Sequence, residues 1–194
     1  FGQLPGHLIS TQAWLEEVTV AADMPSIPPV RWHAEALWEA VVPQLPGFTV
    51  EVLPQIDSTN TELMRRARAG QTEPTLLVAE RQTAGRGRMG RVWDSSHTEA
   101  LEVSASLTFS LGLPLAPADW SGLSLAVGVS VAESLQPTLP MPGSALPRIG
   151  LKWPNDLWLG GAQGDCKLGG ILVETASFVA PQAAAGHPPP GRYV

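Results

Sequence analysis

A strand–helix–strand pattern in the first half of the sequence constrains the fold more than any other feature. Phe48 to Leu53 alternates apolar and polar side chains, as a half-buried strand does. Thr59 followed by Glu62 forms a capping box that predicts the first turn of a helix, and Gly70 predicts its end. Thr75 to Glu80 predicts a second, buried strand. This order indicates a fold that combines sheet and helix.

Further patterns extend the arrangement over the rest of the chain. They predict strands at Ala105–Leu111, Ile149–Trp153, Leu157–Leu159, Lys167–Glu174 and Arg192–Val194, and helices at Thr11–Val20, His33–Leu45 and Trp120–Leu135. The Ala and Val content of the last helix predicts that it is buried at the centre of the fold. Because strands outnumber helices and include hairpins, we expect an α+β fold with a mixed or antiparallel sheet and packed helices.

Composition limits the classes of partner. A net charge of −6 over 194 residues argues against nucleic-acid binding through the overall field of the chain. No apolar run reaches about 18 residues, so the sequence predicts no membrane span. The single cysteine, Cys166, cannot form an internal disulfide, which favours a reducing, cytoplasmic location. Only Lys152 and Lys167 are lysines, and any bound anion requires a local cluster of cations.

The loop from Gln82 to Arg91 is such a cluster. Arg86, Arg88 and Arg91 are separated by glycines, and a guanidinium group binds two oxygens of a phosphate or carboxylate at once. Three neighbouring cations repel one another, so we expect the loop to order when an anion binds. The alternatives are a solvated basic surface loop and an Arg-Gly segment that binds RNA. The acidic chain and the absence of interleaved aromatic residues argue against RNA.

The glycines of this loop formally match a dinucleotide-binding fingerprint, Gly85-x-Gly87-x-x-Gly90. That fingerprint needs a helix that begins within the glycines and an acidic residue about 20 positions later. The residues after Gly90 have no helical period, and the Gly-Lys-Ser/Thr sequence of a nucleotide-binding P-loop does not occur. Both nucleotide-binding motifs are therefore rejected.

A second cluster, Lys152 to Asp156, lies between two predicted strands. Asn155 and Asp156 after a proline are commonly just turn residues, and this explanation stays open beside a functional one. Lys152 is harder to explain in this way, because a lysine directed inward from a strand needs a partner.

A third cluster begins at Lys167. The adjacent Gly169 and Gly170 weaken a strand, and glycine within a strand often marks a place where a ligand passes close to the backbone. Lys167 at the start of this strand is then placed to point into the opening. The alternative is an ordinary hairpin with a surface lysine.

Taken together and in this order, the segments resemble the catalytic domain of biotin protein ligases (biotin–acetyl-CoA-carboxylase synthetases). The resemblance covers roughly residues 50–178 and depends on Gly-Arg-Gly-Arg-x-Gly-Arg-x-Trp and Lys-Trp-Pro-Asn-Asp, supported by Ser58-Thr59-Asn60. It implies a biotin/lipoate ligase catalytic domain with a class II aminoacyl-tRNA-synthetase-like fold. It also implies a reaction in which biotin and MgATP form biotinoyl-5′-AMP, which then biotinylates a lysine of a biotin carboxyl carrier protein.

The resemblance also assigns roles to residues. The expected catalytic residues are Lys167 and Arg88. The expected biotin contacts are Ser58, Thr59, Asn60, Gln82, Arg86, Gly87, Arg88, Lys167 and Gly170, with Gly169 and Gly170 letting the strand approach biotin. The expected contacts of ATP and the adenylate are Arg88, Arg91, Trp93, Lys152 and Asn155. Mg²⁺ arrives with ATP, and Asp156 is the one candidate protein ligand for it.

The resemblance divides the chain into an extension without an assigned role, 1–47, and a catalytic domain, 48–194. Family members continue beyond a Tyr-Val pair into a glycine-rich strand and a small C-terminal domain, so we expect this catalytic domain to be incomplete at its C-terminus. The segment His97 to Ser104 departs from the Pro/Gly turn expected there. The alternatives that stay open are a non-catalytic fragment of such a ligase and a lipoate or octanoate ligase.

Overall fold

The computed structural model describes residues 30–94, 106–141, 144, 146–161, 164–177 and 192–194. The chain divides into two units, Phe1–Arg31 and Trp32–Val194, and every element below belongs to the second. The helix predicted at Thr11–Val20 and the atypical segment His97 to Ser104 lie outside the described residues.

The described elements follow the predicted order. They are α1 (Ala34–Val41), β1 (Thr49–Ile56), α2 (Thr59–Arg68), β2 (Thr75–Gln82), a 3₁₀ turn (Arg88–Gly90), β3 (Thr108–Gly112), β4 (Pro114–Leu115), α3 (Leu123–Leu135), β5 (Arg148–Lys152), β6 (Asp156–Gly160), β7 (Cys166–Gly170), β8 (Ala176–Ser177) and β9 (Arg192–Tyr193). They form three sheets in the orders β1-β2-β3, β4-β9-β8 and β5-β6-β7. Only the β1–β2 pair is parallel among the described pairs. The predicted α+β fold with a mixed sheet is confirmed.

Helix α2 begins with a cap that differs from the predicted one. Ser58 has an extended backbone, and its hydroxyl accepts a hydrogen bond from the Thr61 amide at 3.3 Å. Thr59 is therefore the first helical residue, and its hydroxyl is used elsewhere. Glu62 accepts a hydrogen bond from Arg66 Nε at 2.8 Å instead of closing a capping box. The prediction placed the cap one residue too late, because either hydroxyl can serve as a cap.

The core lies beneath one face of α2. Its buried members are Leu63, Met64, Ala67, Leu77, Ala176 and Tyr193. Tyr193 is 1% exposed, and its hydroxyl donates a hydrogen bond to the Glu73 carbonyl at 3.2 Å. Burial raises the pKa of the Tyr193 phenol. This cluster fixes the helix whose first turn carries the Ser58-Thr59-Asn60 sequence.

The predicted burial of α3 at the centre of the fold is wrong. Gly128 is the one buried residue of α3 among those described, whereas Val129 is 43% and Leu135 is 60% exposed. The helix packs on the β5-β6-β7 sheet through one side, at Gly128, where an added Cβ would lie 2.7 Å from Leu151 Cδ2. An all-apolar composition cannot distinguish such a helix from one that is covered all round.

The predicted extents of β7 and α1 are also corrected. Strand β7 ends at Gly170 and does not reach the predicted Glu174, because the next amide, of Ile171, bonds to the Asn155 carbonyl at 2.9 Å and not to a strand partner. Helix α1 is shorter than the predicted His33–Leu45, and its Trp38 is 45% exposed.

None of the helices in the part of the chain that the structure describes is long and apolar enough to cross a bilayer.

The contact between Gly112 and Tyr193 gives a stability prediction. A Cβ at Gly112 would lie 2.5 Å from Tyr193 Cζ and 2.7 Å from Cε1, so Gly112→Ala must displace the phenol ring from the core. We expect the free energy of unfolding to fall by about 1–3 kcal/mol, measured by urea denaturation. Gly150→Ala is the matched control, because a Cβ in that strand meets nothing within 4 Å. Equal losses for the two variants would contradict the packing role of Gly112.

Candidate active site

Thr59, at the first turn of α2, anchors one side of the site. The Thr59 amide and hydroxyl both donate to Gln82 Oε1, at 2.8 and 3.1 Å. The Thr59 hydroxyl also lies 2.8 Å from the hydroxyl of Ser110 on β3. Because its own proton goes to Gln82, Thr59 accepts from Ser110. Helix α2, strand β2 and strand β3 therefore meet at one hydroxyl, which brings two predicted biotin contacts together.

Ser110 was missed by sequence reasoning. Its only signal was a place among the polar positions of an alternating strand, and that pattern is also typical of a solvent-facing position.

Asn60 and Arg86 meet at a carboxylate that the sequence did not single out. Asn60 Nδ2 donates to Glu174 Oε2 at 2.8 Å, and Arg86 Nη2 donates to Glu174 Oε1 at 3.0 Å. Arg86 Nη1 also reaches Thr61 Oγ1 at 3.4 Å. The structure therefore joins the first turn of α2 to the arginine loop through Glu174.

The arginine loop closes on itself through backbone hydrogen bonds. The Trp93 amide donates to the Gly85 carbonyl at 2.9 Å, and the Gly87 amide donates to the Arg91 carbonyl at 2.8 Å. A Cβ at Gly85 would overlap the Trp93 carbonyl oxygen, so a side chain there would open the loop. Glycine is required here for the close approach of two backbones. Arg91 is exposed.

Arg88 extends from the loop to the turn between β5 and β6. Its Nη1 donates to Asn155 Oδ1 at 3.2 Å, and Asn155 Nδ2 donates to the Ile171 carbonyl at 2.8 Å. The second bond fixes which end of the Asn155 amide faces Arg88. Asn155 is thus more than a turn residue, since it connects the loop to the chain beyond β7.

Lys167 faces the same turn from β7. Its Nζ donates to Asp156 Oδ1 at 2.8 Å and lies 5.3 Å from the centre of the Trp93 ring. The Lys167 and Asp156 side chains are 39% and 25% exposed, so the pair is open to solvent on one side. Such a pair contributes little to stability. The pair instead holds the Lys167 ammonium at Asp156, which follows Asn155 in the sequence.

A β-bulge turns Lys167 toward this site. Between β6 and β7 the pairing passes from Gly169 to Lys167 and skips Leu168. In a regular strand Lys167 and Gly170, three positions apart, face opposite sides. Because of the bulge they share a side, and a Cβ at Gly170 would lie 3.2 Å from Lys167 Nζ and 3.3 Å from Trp93 Cζ3.

Gly169 faces the other side of the sheet, where a Cβ would lie 3.6 Å from Leu157 Cδ1. The structure therefore separates the two glycines that the resemblance had grouped together at biotin.

Lys152 lies on the same face of the β5-β6-β7 sheet as Asp156, with which it is paired in register. Its Nζ is 4.1 Å from the centre of the Trp158 ring, so the partner that a strand lysine needs is an indole face. Trp158 was not singled out from the sequence. Its indole Nε1 is buried and has no hydrogen-bond partner among the described residues.

Among the described residues, no metal cluster adds to this site and a cavity lies outside it. No three His, Cys, Asp or Glu side chains converge on a metal position in the described ranges, and the Asp156 carboxylate is bonded to Lys167. A cavity of about 640 Å³ is lined by Thr49, Glu51, Arg66, Gln71, Glu73, Thr75 and Tyr193. Arg66 is already held there by both oxygens of Glu51, at 2.6 and 2.9 Å, and none of the predicted site residues lines it. The cation in this cavity is therefore already paired within the protein.

Asp57 supports the start of α2 electrostatically. Its Oδ1 accepts a hydrogen bond from the Ser58 amide at 2.8 Å, and its Oδ2 faces Arg65 Nη2 at 2.8 Å. The Ser58 N–H is the largest cause that lowers the pKa of this carboxyl below its ordinary value of 3.8, and Arg65 adds to it. Folding therefore favours the ionised form of the Asp57 carboxyl group.

Comparison with known proteins gives a consistent family. The model of the biotin/lipoate A/B protein ligase family matches residues 52–184. The biotin–[acetyl-CoA-carboxylase] ligase of Mycobacterium tuberculosis is 39% identical over 131 residues, which are 66% of this chain and 44% of that protein. The bifunctional ligase/repressor BirA of Escherichia coli is 41% identical over 135 residues, 69% of this chain and 37% of that protein. The chain thus spans less than half the length of these two curated relatives.

One solved structure to which the chain is similar is the biotin acetyl coenzyme A carboxylase synthetase of Helicobacter pylori with bound biotinylated ATP. It is 27% identical with a TM-score of 0.46, and the match covers 74% of this chain and 57% of that one.

The Asp57 contacts give a pH prediction. The folded-state pKa lies below 3.8, so the stabilisation by Asp57 is fully present above that pH and is lost as the pH falls through the folded value. We expect Asp57→Asn to lower the urea midpoint at about pH 7 and to lose this effect at about pH 2. Asp165→Asn, at an exposed aspartate, controls for the loss of one negative charge. A deficit that is equally large at both pH values would refute the prediction.

Proposed function

The chain belongs to the biotin/lipoate A/B protein ligase family, and we propose that it activates biotin with MgATP and transfers it to a lysine of a biotin carboxyl carrier protein. The curated relative at 39% identity carries the name of a biotin ligase, which favours biotin over lipoate or octanoate.

One observation carries the proposal. Arg88 from the loop and Lys167 from β7 donate to the adjacent residues Asn155 and Asp156, at 3.2 and 2.8 Å. Two cations from distant parts of the chain are therefore held beside one dipeptide. A carboxylate and a triphosphate repel each other, and a pair of positioned cations is what brings them together and stabilises the charge that develops at phosphorus.

The chemistry then proceeds in two displacements. A carboxylate oxygen of biotin attacks the α-phosphorus of ATP, the bond to the bridging oxygen breaks, and pyrophosphate leaves. The amine of the acceptor lysine next attacks the acyl carbon of biotinoyl-5′-AMP, AMP leaves, and the amine proton passes to solvent. Arg88 and Lys167 stabilise the negative charge in the first step. Magnesium enters as part of the ATP substrate, with Asp156 as a candidate ligand.

The remaining residues divide between the two substrates. Biotin is bound by Ser58, Thr59, Asn60, Gln82, Arg86, Gly87 and Gly170, in addition to Arg88 and Lys167. The nucleotide is bound by Arg91, Trp93, Lys152 and Asn155, in addition to Arg88. The convergence of Thr59, Gln82 and Ser110 supports the first assignment, because a fixed set of polar atoms can select a ureido ring by hydrogen bonds.

The sequence order supports a catalytic domain at 48–194, preceded by an extension at 1–47. We place the reaction in the cytoplasm, where a biotin carrier protein would meet the enzyme.

Lys167→Met tests the reaction itself. We expect biotin-dependent pyrophosphate release to fall by at least about 100-fold, since the variant lacks the ammonium that faces the reacting phosphate. The thermal midpoint should stay near wild type, because the exposed Lys167–Asp156 pair adds little stability. Arg68→Met, at an exposed position of α2, is the control for loss of a cation.

Release of pyrophosphate at the wild-type rate by the Lys167 variant would refute its role. A wild-type chain that activates lipoate but not biotin would establish the alternative substrate. A folded wild-type chain that activates neither would establish a non-catalytic fragment.

The two adjacent glycines of β7 give a sharper test of geometry. Gly170→Ala places a methyl group against Lys167 and Trp93, so we expect the rate of adenylate formation to fall by about 10- to 100-fold. Gly169→Ala meets only an ordinary contact with Leu157 and should change the rate by less than about threefold. The rates should be compared at saturating substrate, and the reverse order of the two variants would contradict the bulged register.

A further inference from the structure

Glu174 is the point at which three distant segments of the chain are joined. It follows β7, and its two oxygens accept from Asn60 of α2 at 2.8 Å and from Arg86 of the arginine loop at 3.0 Å. Its side chain is 27% exposed, against 49% for that of Arg86. No role was assigned to Glu174 from the sequence, where it appears only as the polar end of an apolar run.

We propose that Glu174 is a positioning residue for biotin recognition, an inference that rests on the proposed function. An ionised carboxylate only accepts hydrogen bonds, so Asn60 must direct its NH₂ group at Glu174. The Asn60 Oδ1 atom is then left as an acceptor toward the ligand. An acceptor fixed in this way selects a ligand N–H, and the ureido ring of biotin carries two.

The same carboxylate places the start of the arginine loop. Arg86 is held by one Glu174 oxygen, while the Trp93 amide holds the neighbouring Gly85 carbonyl at 2.9 Å. Glu174 thus ties the loop to the helix turn that carries Asn60. Because the ion pair is partly open to solvent, its loss should cost the fold little. Glu174 therefore acts through the direction of Asn60 and Arg86 and not through stability.

The variant Glu174→Gln separates the direction of Asn60 and Arg86 from the stability of the fold. A glutamine can donate to Asn60 Oδ1, which lets the Asn60 amide rotate and present NH₂ to the ligand. It also loses the charge that holds Arg86. Glu51→Gln is the matched control, because Glu51 also accepts two hydrogen bonds from an arginine, Arg66, and its side chain is 37% exposed.

Two measurements on the 194-residue chain test the proposal. The first is the rate of trypsin cleavage after Arg86, followed by mass spectrometry without added ligand; we expect Glu174→Gln to raise it by about fivefold and Glu51→Gln to leave it unchanged. The second is the selectivity for biotin, defined as the Kd for biotin methylated on either ureido nitrogen divided by the Kd for biotin itself. We expect this selectivity to fall by about tenfold in Glu174→Gln and to be retained in Glu51→Gln.

The outcomes separate this proposal from the proposed function. Wild-type selectivity in a folded Glu174→Gln chain would overturn the positioning role and leave the ligase assignment standing. An unchanged cleavage rate after Arg86 would overturn the anchoring of the loop. A folded wild-type chain that binds no biotin would remove the proposed function and with it the ligand-directed role of Glu174, whatever the cleavage rates show.

Discussion

The site depends on the compensation of positive charge by acceptors from one continuous part of the chain. Arg86, Arg88 and Lys167 are each held by a side chain from the region between Asn155 and Glu174. Like charges repel one another near a protein surface, so uncompensated cations would disfavour the approach of the loop to β7. Formation of the β6–β7 hairpin is therefore a condition for placing the arginine loop.

The bulge at Leu168 makes this arrangement compatible with a sheet that has one apolar face. The β5-β6-β7 sheet directs Leu151 toward α3, where it packs against Gly128. A regular register that kept Gly170 opposite Asp156 would direct Lys167 toward that apolar side, where an ammonium group has no partner. Because the pairing skips Leu168, the Lys167 ammonium lies on the polar face of the sheet, and Leu151 stays on the apolar face.

Sequence reasoning succeeded where a local pattern determines the outcome. Alternation gave β1, the apolar run gave β2, and the scarcity of lysine drew attention to Lys152 and Lys167, both of which lie on the polar face of one sheet. It failed where the outcome depends on a distant partner. Glu174 acquires a role only because Asn60 and Arg86, 114 and 88 positions away, converge on it. The bulge and the exposure of α3 likewise arise from pairing and packing between segments.

The proposed reaction requires these cations to exchange partners. Arg88 and Lys167 are bonded to Asn155 and Asp156, so a phosphate or carboxylate that binds them must take over the same donors. The two exchanges differ, because Asn155 is neutral whereas Asp156 is an anion that would repel an incoming phosphate. Relief of that repulsion requires Asp156 to share Lys167 with the phosphate or to face the magnesium ion carried by ATP. Under the proposed reaction, a metal ion carried by ATP would relieve the repulsion at Asp156, so the carboxylate that positions Lys167 would favour ATP that arrives with its metal.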